Sequence, residues 1–263
     1  MRITRSQLTK AFHFVLPFII VIGLWEFAVD VRIVSPRLVP SPSSIASKFY
    51  RLITPKPILL TSLWMSLYRL ILGYALGVFI GVSLGILMGI SKFLYRLFSP
   101  ILSLLISVPT LAWVPLLLVT LGPGEETVIV AIFLGSVFPM VYNTLNGIRS
   151  IGKHFVWASH IMGADKVTVF FEVLLPGSLV SIITGLRLAI GYSWRALVGA
   201  EMVAAGISAG VGQMIYAARA FNDVEAMFAG LVIISIGGLL LDRLLMDPLE
   251  RKTVEKWGIV KKR

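Results

Sequence analysis

The sequence predicts an all-α polytopic membrane protein with six transmembrane helices, and three observations predict it. The 263 residues are 57% hydrophobic and 14% charged, with mean hydropathy +0.90; a soluble domain carries about 25% charged residues. Six segments, 12–31, 63–90, 101–121, 127–145, 179–205 and 226–245, are long and apolar enough to cross a bilayer core, which takes about 20 helical residues. None alternates like a barrel strand, and backbone polar groups in lipid must be satisfied internally, so the spans are helices.

Taken in chain order, Arg2, Arg5 and Lys10 precede the first apolar run. The run continues to Trp25 and Phe27 without a small-residue cleavage pattern, so it reads as a retained span rather than a signal peptide. Pro40-Ser-Pro-Ser-Ser44 then marks a helix start, because Pro42 pre-sets φ and a serine can cap. A short helix over 45–53 on the membrane surface is expected.

The second span places glycine at every fourth position: Gly73, Gly77, Gly81, Gly85 and Gly89. Four residues advance a helix by about 400°, so successive glycines shift only about 40° around the axis. They form a slowly winding groove for close helix packing. In the third span Pro109 and Pro115 each remove a backbone donor, which predicts a bent helix. Trp113 between them is a candidate for lining a pathway, with a bend that merely helps packing as the alternative.

Gly147-Ile-Arg-Ser-Ile-Gly152-Lys153 has the spacing of a phosphate-binding loop, but His154 follows where Ser or Thr would hold magnesium. It also follows a membrane helix and not a strand, which excludes nucleotide binding here. Residues 157–176 are a polar, charged stretch between apolar spans, suited to docking a soluble partner.

The fifth span holds Arg187, Arg195 and Glu201. Charges at membrane depth are costly and mark candidate functional sites. Arg187 lies near the inner end and can snorkel. Arg195 and Glu201 are about 240° apart around the helix and do not share a face. Arg195 therefore needs a carboxylate from another helix, a carbonyl or a passing anion, while Glu201, near the outer end, is expected to reach water.

Lys and Arg set the orientation. With the N-terminus inside, the inner segments carry Arg2, Arg5, Lys10, Lys92, Arg96, Arg149, Lys153, Lys166 and the tail residues Arg251, Lys252, Lys256, Lys261, Lys262 and Arg263. The outer segments carry only Arg32, Arg37, Lys48, Arg51, Lys56 and Arg219. That bias puts both termini in the cytoplasm, with residues 157–176 on the same side. The net charge of +11 thus anchors the chain on an anionic membrane face, with no nucleic-acid motif. No cysteine is present, so no disulfide or thiolate site is available. His13, His154 and His160 are scattered, and no catalytic set can be assembled; no metal, cofactor or catalytic residue is expected. An intramembrane enzyme would need paired polar groups at depth. A stand-alone secondary transporter would show ion-coupling carboxylates and an inverted repeat.

The stretch 157–176 resembles the coupling loop of ABC importer permeases. That motif runs Glu-Ala-Ala, three residues, Gly, then about nine residues to an apolar-Leu-Pro. Ala158, Gly163-Ala164 and Leu174-Leu-Pro176 match; Trp157 stands in place of the glutamate and Ser159 in place of the second alanine. Further matches are to the nitrate/sulfonate/taurine branch of the family. They are Pro40-Ser-Pro42, Leu111-Ala-Trp-Val-Pro-Leu116, Phe138-Pro139, Asn143-Thr-Leu145, Thr184-Gly-Leu-Arg-Leu-Ala-Ile-Gly191, Ser193-Trp194 and Leu197-Val-Gly-Ala-Glu-Met202. The likeness covers about residues 36–250.

The resemblance implies a type I importer permease fold with a cytoplasmic coupling helix at about 157–166. It implies a first span and periplasmic segment over 1–60, a core permease domain over 61–250 and a basic cytoplasmic tail over 251–263. Two permease subunits, as a homodimer, would form the channel in the inner membrane. Two separate ATPase subunits would dock under the coupling helix, through Trp157, Ala158, Ser159, Gly163, Ala164, Asp165 and Pro176. An extracytoplasmic binding protein would deliver a small anion (sulfonate, taurine or nitrate). Some relatives carry uncharged or cationic heterocycles. Candidate pathway residues are Trp113, Asn143, Trp194, Arg195 and Glu201.

Overall fold

A computed structural model describes residues 5–54, 58–204, 209–251 and 253, with the side chains of the first helix from Leu16 onward. Lys56 and all of the basic tail but Arg251 lie outside the described residues. The chain runs through α1 (Arg5–Asp30), α2 (Pro42–Ile53), α3 (Ile58–Ile90), α4 (Lys92–Ile106), α5 (Val114–Leu121) and α6 (Glu125–Ser150). It continues through α7 (Lys153–Ile161), α8 (Lys166–Val169), α9 (Leu175–Val203), α10 (Val211–Ala220), α11 (Val224–Leu241) and α12 (Asp247–Glu250). A 3-10 turn at Thr110–Trp113 leads into α5. Single π turns at Phe170–Leu174 and Asp242–Met246 join α8 to α9 and α11 to α12. No strand occurs among the described residues.

Four helical stretches among the described residues are long and apolar enough to cross a membrane: Ile58–Ile90, Glu125–Ser150, Lys166–Val203 and Val224–Glu250. A fifth is formed if the bent pair Lys92–Ile106 and Thr110–Leu121 counts as one span. The expected first span falls on α1, where Phe18, Ile19, Val21 and Leu24 are exposed. The third span differs from the single bent helix expected over 101–121: its two halves meet at 91°. Pro109 has no N–H to donate, and it disfavours helix at Val108 before it. The chain restarts only at the 3-10 turn, and Pro115 then occupies the first turn of α5, where its missing N–H costs nothing. The surface segment forms α2 as its sequence indicated, with Ser41 as N-cap accepting from the Ser44 N–H.

α6 is the centre of the molecule, flanked by α3 on one side and α9 on the other. The α3 stripe lies directly on it. A methyl group at Gly73 would sit 2.7 Å from Ile129 O and Ile132 Cβ. At Gly77 it would meet Ser136 Oγ at 1.8 Å, at Gly81 Met140 Cβ at 2.5 Å, and at Gly85 Thr144 Cβ at 2.6 Å. Gly89 closes the series against Ile148. The facing residues also repeat every fourth position, so a ridge of α6 lies in the groove of α3 from Gly73 to Gly89. On the other face of α6, Gly135 receives the Ser193 backbone, Gly147 receives Ser178 and Ser181, and Gly185 of α9 receives Asn143. Without a hydrophobic drive between helices in lipid, such close approach supplies the association. α11 joins through Trp194 of α9, whose ring fills the notch at Gly237 and whose indole N–H donates to Ile234 O at 3.1 Å.

Candidate functional site

Three features stand out, and α9 connects them. The first is the loop at its start. α7 ends at Ile161, where the Gly163 N–H donates to His160 O and the Ala164 N–H to Ser159 O, both at 3.0 Å. This is a Schellman cap, and it requires the left-handed backbone that Gly163 adopts, φ +88°. Asp165 then caps α8, accepting from the Thr168 N–H at 2.8 Å. The bond from Thr168 holds its carboxyl below the usual carboxylate range. The helix expected over 157–166 is therefore two: α7 carries Trp157, Ala158 and Ser159, and Gly163, Ala164 and Asp165 form the elbow before α8. A glycine at C′ followed by an aspartate N-cap ends one helix and begins another. Around this elbow Phe155, Trp157, Ile161, Met162 and Val167 are exposed, Ile161 and Met162 by 86% and 87%. Pro176 sits in the first turn of α9.

The second feature is a cavity of about 490 Å³ between α6, α9 and the break after α4. Tyr142 and Asn143 line it from α6, Tyr192 and Arg195 from α9, and Pro109 and Thr110 from the break. Asn143 donates to Pro139 O at 2.8 Å. Arg195 is exposed, its guanidinium carbon 5.6 Å from the centre of the Tyr192 ring. Among the described residues no carboxylate lies within ion-pair distance of it.

The other expected pathway residues lie elsewhere. Trp194 points the opposite way, into α11. Trp113 is half-buried, with an indole N–H that has no partner among the described residues, and it does not line the cavity. Glu201 does not reach water: it is fully buried.

Glu201 belongs to the third feature, which the sequence reading missed. Arg69 of α3 is also fully buried. Its NH1 donates to Glu201 Oε1 at 2.8 Å and to Ala209 O at 2.7 Å, and its NH2 to Glu125 Oε1 at 3.1 Å. Ser66, one turn earlier, donates to Glu201 at 2.8 Å and accepts the Val211 N–H at 2.9 Å. The Gly212 N–H donates to Glu201 Oε2 at 2.9 Å. The carboxylate thus also caps the N-terminus of α10, which favours negative charge. Gly210 and Gly212 leave room for it; a methyl group at Gly210 would stand 2.6 Å from the carboxyl group. An arginine inside an apolar run was the available signal. Arg187, expected to snorkel, instead meets Asp242, Asp247 and Glu250, with Nε 2.9 Å from Asp242 and NH1 2.7 Å from Glu250.

The sequence profile of the family described as "Binding-protein-dependent transport system inner membrane component" matches residues 77–253. The putative aliphatic sulfonates transport permease protein of Bacillus subtilis is 36% identical over 238 residues, 90% of this chain and 84% of the relative. The taurine transport system permease protein of Escherichia coli is 31% identical over 92% of this chain and 88% of its own length. The nitrate import permease protein of Synechocystis is 34% identical over 72% and 70%. Inward-facing structures of the MetNI methionine ABC transporter superpose with TM-score 0.65 at 22% identity, covering 76% of this chain and 99% of that one. That likeness shows a shared importer-permease fold.

Proposed function

The chain belongs to the family of binding-protein-dependent transport system inner membrane components, and from that premise we propose that it carries a small anion of the sulfonate, taurine or nitrate class. As an ABC importer permease it is a multi-pass inner-membrane subunit without catalysis of its own. ATP is hydrolysed on separate ATPase subunits, and an external binding protein supplies the substrate. We further propose a homodimer with two ATPase subunits docked at α7 and α8, both termini being cytoplasmic. The apolar elbow around Trp157, Ile161 and Met162 supports that docking surface, since an exposed apolar patch of this kind marks an interface.

The observation that carries the anion reading is Arg195. A guanidinium is always charged and is the preferred group for bidentate recognition of planar or tetrahedral oxyanions. Here it stands in a cavity beside Asn143 and Thr110, which can donate further hydrogen bonds, with no carboxylate within ion-pair distance among the described residues. The relatives' names point to anions of the same chemistry. The test is ATP-dependent uptake in proteoliposomes holding the permease, its ATPase and its binding protein, with taurine, an alkanesulfonate and nitrate compared. Replacing Arg195 with Ala is expected to lower uptake of the preferred anion at least tenfold, from loss of a charge-assisted bond of about 1.5–3 kcal/mol. Unchanged uptake of every anion, or transport of a cationic heterocycle instead, would refute the reading.

A further inference from the structure

We infer that the buried Arg69–Glu201 pair is the distal anchor of α9 and a positioning pair for transport, fixing one end of that helix so that movement at the other end is delivered to the cavity. The continuous span Lys166–Val203 begins at the α7–α8 elbow and ends two residues beyond Glu201. The cavity residues Leu188, Tyr192, Arg195 and Ala196 lie between those ends. One continuous helical element therefore links the docking elbow, the cavity and the buried pair, which gives a physical route for transmitting a movement.

What happens to the cavity depends on whether the distal end is held. A lever with both ends free moves as a whole; a lever held at one end turns about it. Glu201 is held from two elements, and its partner Arg69 from a third. Arg69 and Ser66 hold it from α3, the Gly212 N–H holds it from α10, and Arg69 extends the link to Glu125 at the start of α6. Both charged groups are fully buried, so neither can exchange its partner for water. Removing Arg69 would leave the Glu201 carboxylate buried without a counter-ion, which is strongly destabilising. Stability alone does not require this arrangement, because apolar residues of like volume commonly replace a buried ion pair without loss. Its directional geometry, three donors from two segments converging on one carboxylate, suits it to fixing position.

The experiment uses the assembled importer in proteoliposomes. Uptake and ATP hydrolysis are measured together for Glu201→Gln and for the neutral double variant Arg69→Gln/Glu201→Gln, with assembled yield and melting temperature of each complex. The double variant strands no buried charge, since Glu125, which loses Arg69, is 39% exposed, so it remains informative if the single variant folds poorly. Substrate moved per ATP is expected to fall about fivefold or more, the range of an ordinary coupling free energy, in complexes assembled normally. Coupling equal to that of the unsubstituted importer in both variants would overturn the inference. So would losses of uptake and hydrolysis in fixed proportion to the yield of complex, which would make the pair purely structural. The inference rests on α7 and α8 being the docking element. Gly163→Val serves as the control for that premise: if it couples normally the docking reading fails, whereas normal coupling in the Arg69 and Glu201 variants removes the anchor alone.

Discussion

Gly163 is held in the left-handed region at φ +88° by the two bonds that end α7, yet a side chain there would meet nothing within 4 Å. Its requirement is therefore conformational and not steric. That fixes the order of substitutions: Asn visits this region most readily, Ala costs about 1 kcal/mol and a β-branched Val more. The affinity of the ATPase subunit for the permease is expected to fall in the order Gly, Asn, Ala, Val, read by titration of the purified subunit. An equal loss for Asn and Val would show that the elbow's geometry is not what the ATPase reads. This glycine was legible in the sequence as part of a motif, and its partners were within five residues. The pairing of Arg69 was not legible, because its partner Glu201 is 132 residues away. Arg195 and Glu201 were legible as charges at depth, but which of them faces a cavity and which faces a counter-ion depends on the helices packed around α9.

At the scale of elements, the glycine stripe of α3 and the ridge Ile132, Ser136, Met140, Thr144 and Ile148 of α6 form one continuous contact. The stripe could be read from its period; the matching ridge could not, since nothing in α6 distinguishes those residues until the register is set. The register gives a paired prediction. At Gly81 a leucine must displace Met140 and the Val137 carbonyl, both under 3.0 Å from the Cβ position. At Gly23 of α1 a side chain meets nothing within 4 Å. Gly81→Leu is expected to destabilise the purified permease by about 1–3 kcal/mol, as overpacked cores do, while Gly23→Leu leaves the melting temperature unchanged. Similar melting of the two variants would mean that α3 and α6 are not in this close contact. The 91° turn between α4 and α5 shows the limit of local reasoning. Its prolines announce a bend, but its size is set by where the next segment seats. Leu111 fills the notch left by Gly199 of α9, a contact no local pattern contains.

At the scale of the whole molecule, the charge asymmetry and the position of the docking elbow constrain each other. An elbow that receives an ATPase must face the cytoplasm, where ATP is available. Lys153 and Lys166 flank that elbow, and on the same face Lys92 and Arg96 lie at the start of α4 and Arg149 at the end of α6. Arg149 stacks on Tyr95 with 3.6 Å from guanidinium carbon to ring centre, which ties the start of α4 to the end of α6 on that face. The opposite face carries the α10–α11 turn, where Phe221 is 84% exposed and Lys48 pairs with Asp223. The positive-inside bias then predicts that Ile161 and Phe221 lie on opposite sides of the bilayer, Ile161 inside. The absence of any native cysteine makes this directly measurable. Ile161→Cys and Phe221→Cys each introduce a single thiol at a position more than four-fifths exposed. A membrane-impermeant maleimide added to intact spheroplasts is expected to label the cysteine at 221 and not the one at 161. In inverted vesicles the pattern is expected to reverse. Labelling of the cysteine at 161 from outside would invert the molecule. It would place the Trp157 surface away from the ATPase and the Arg69–Glu201 anchor at the cytoplasmic face, and the docking role of α7 and α8 could not stand.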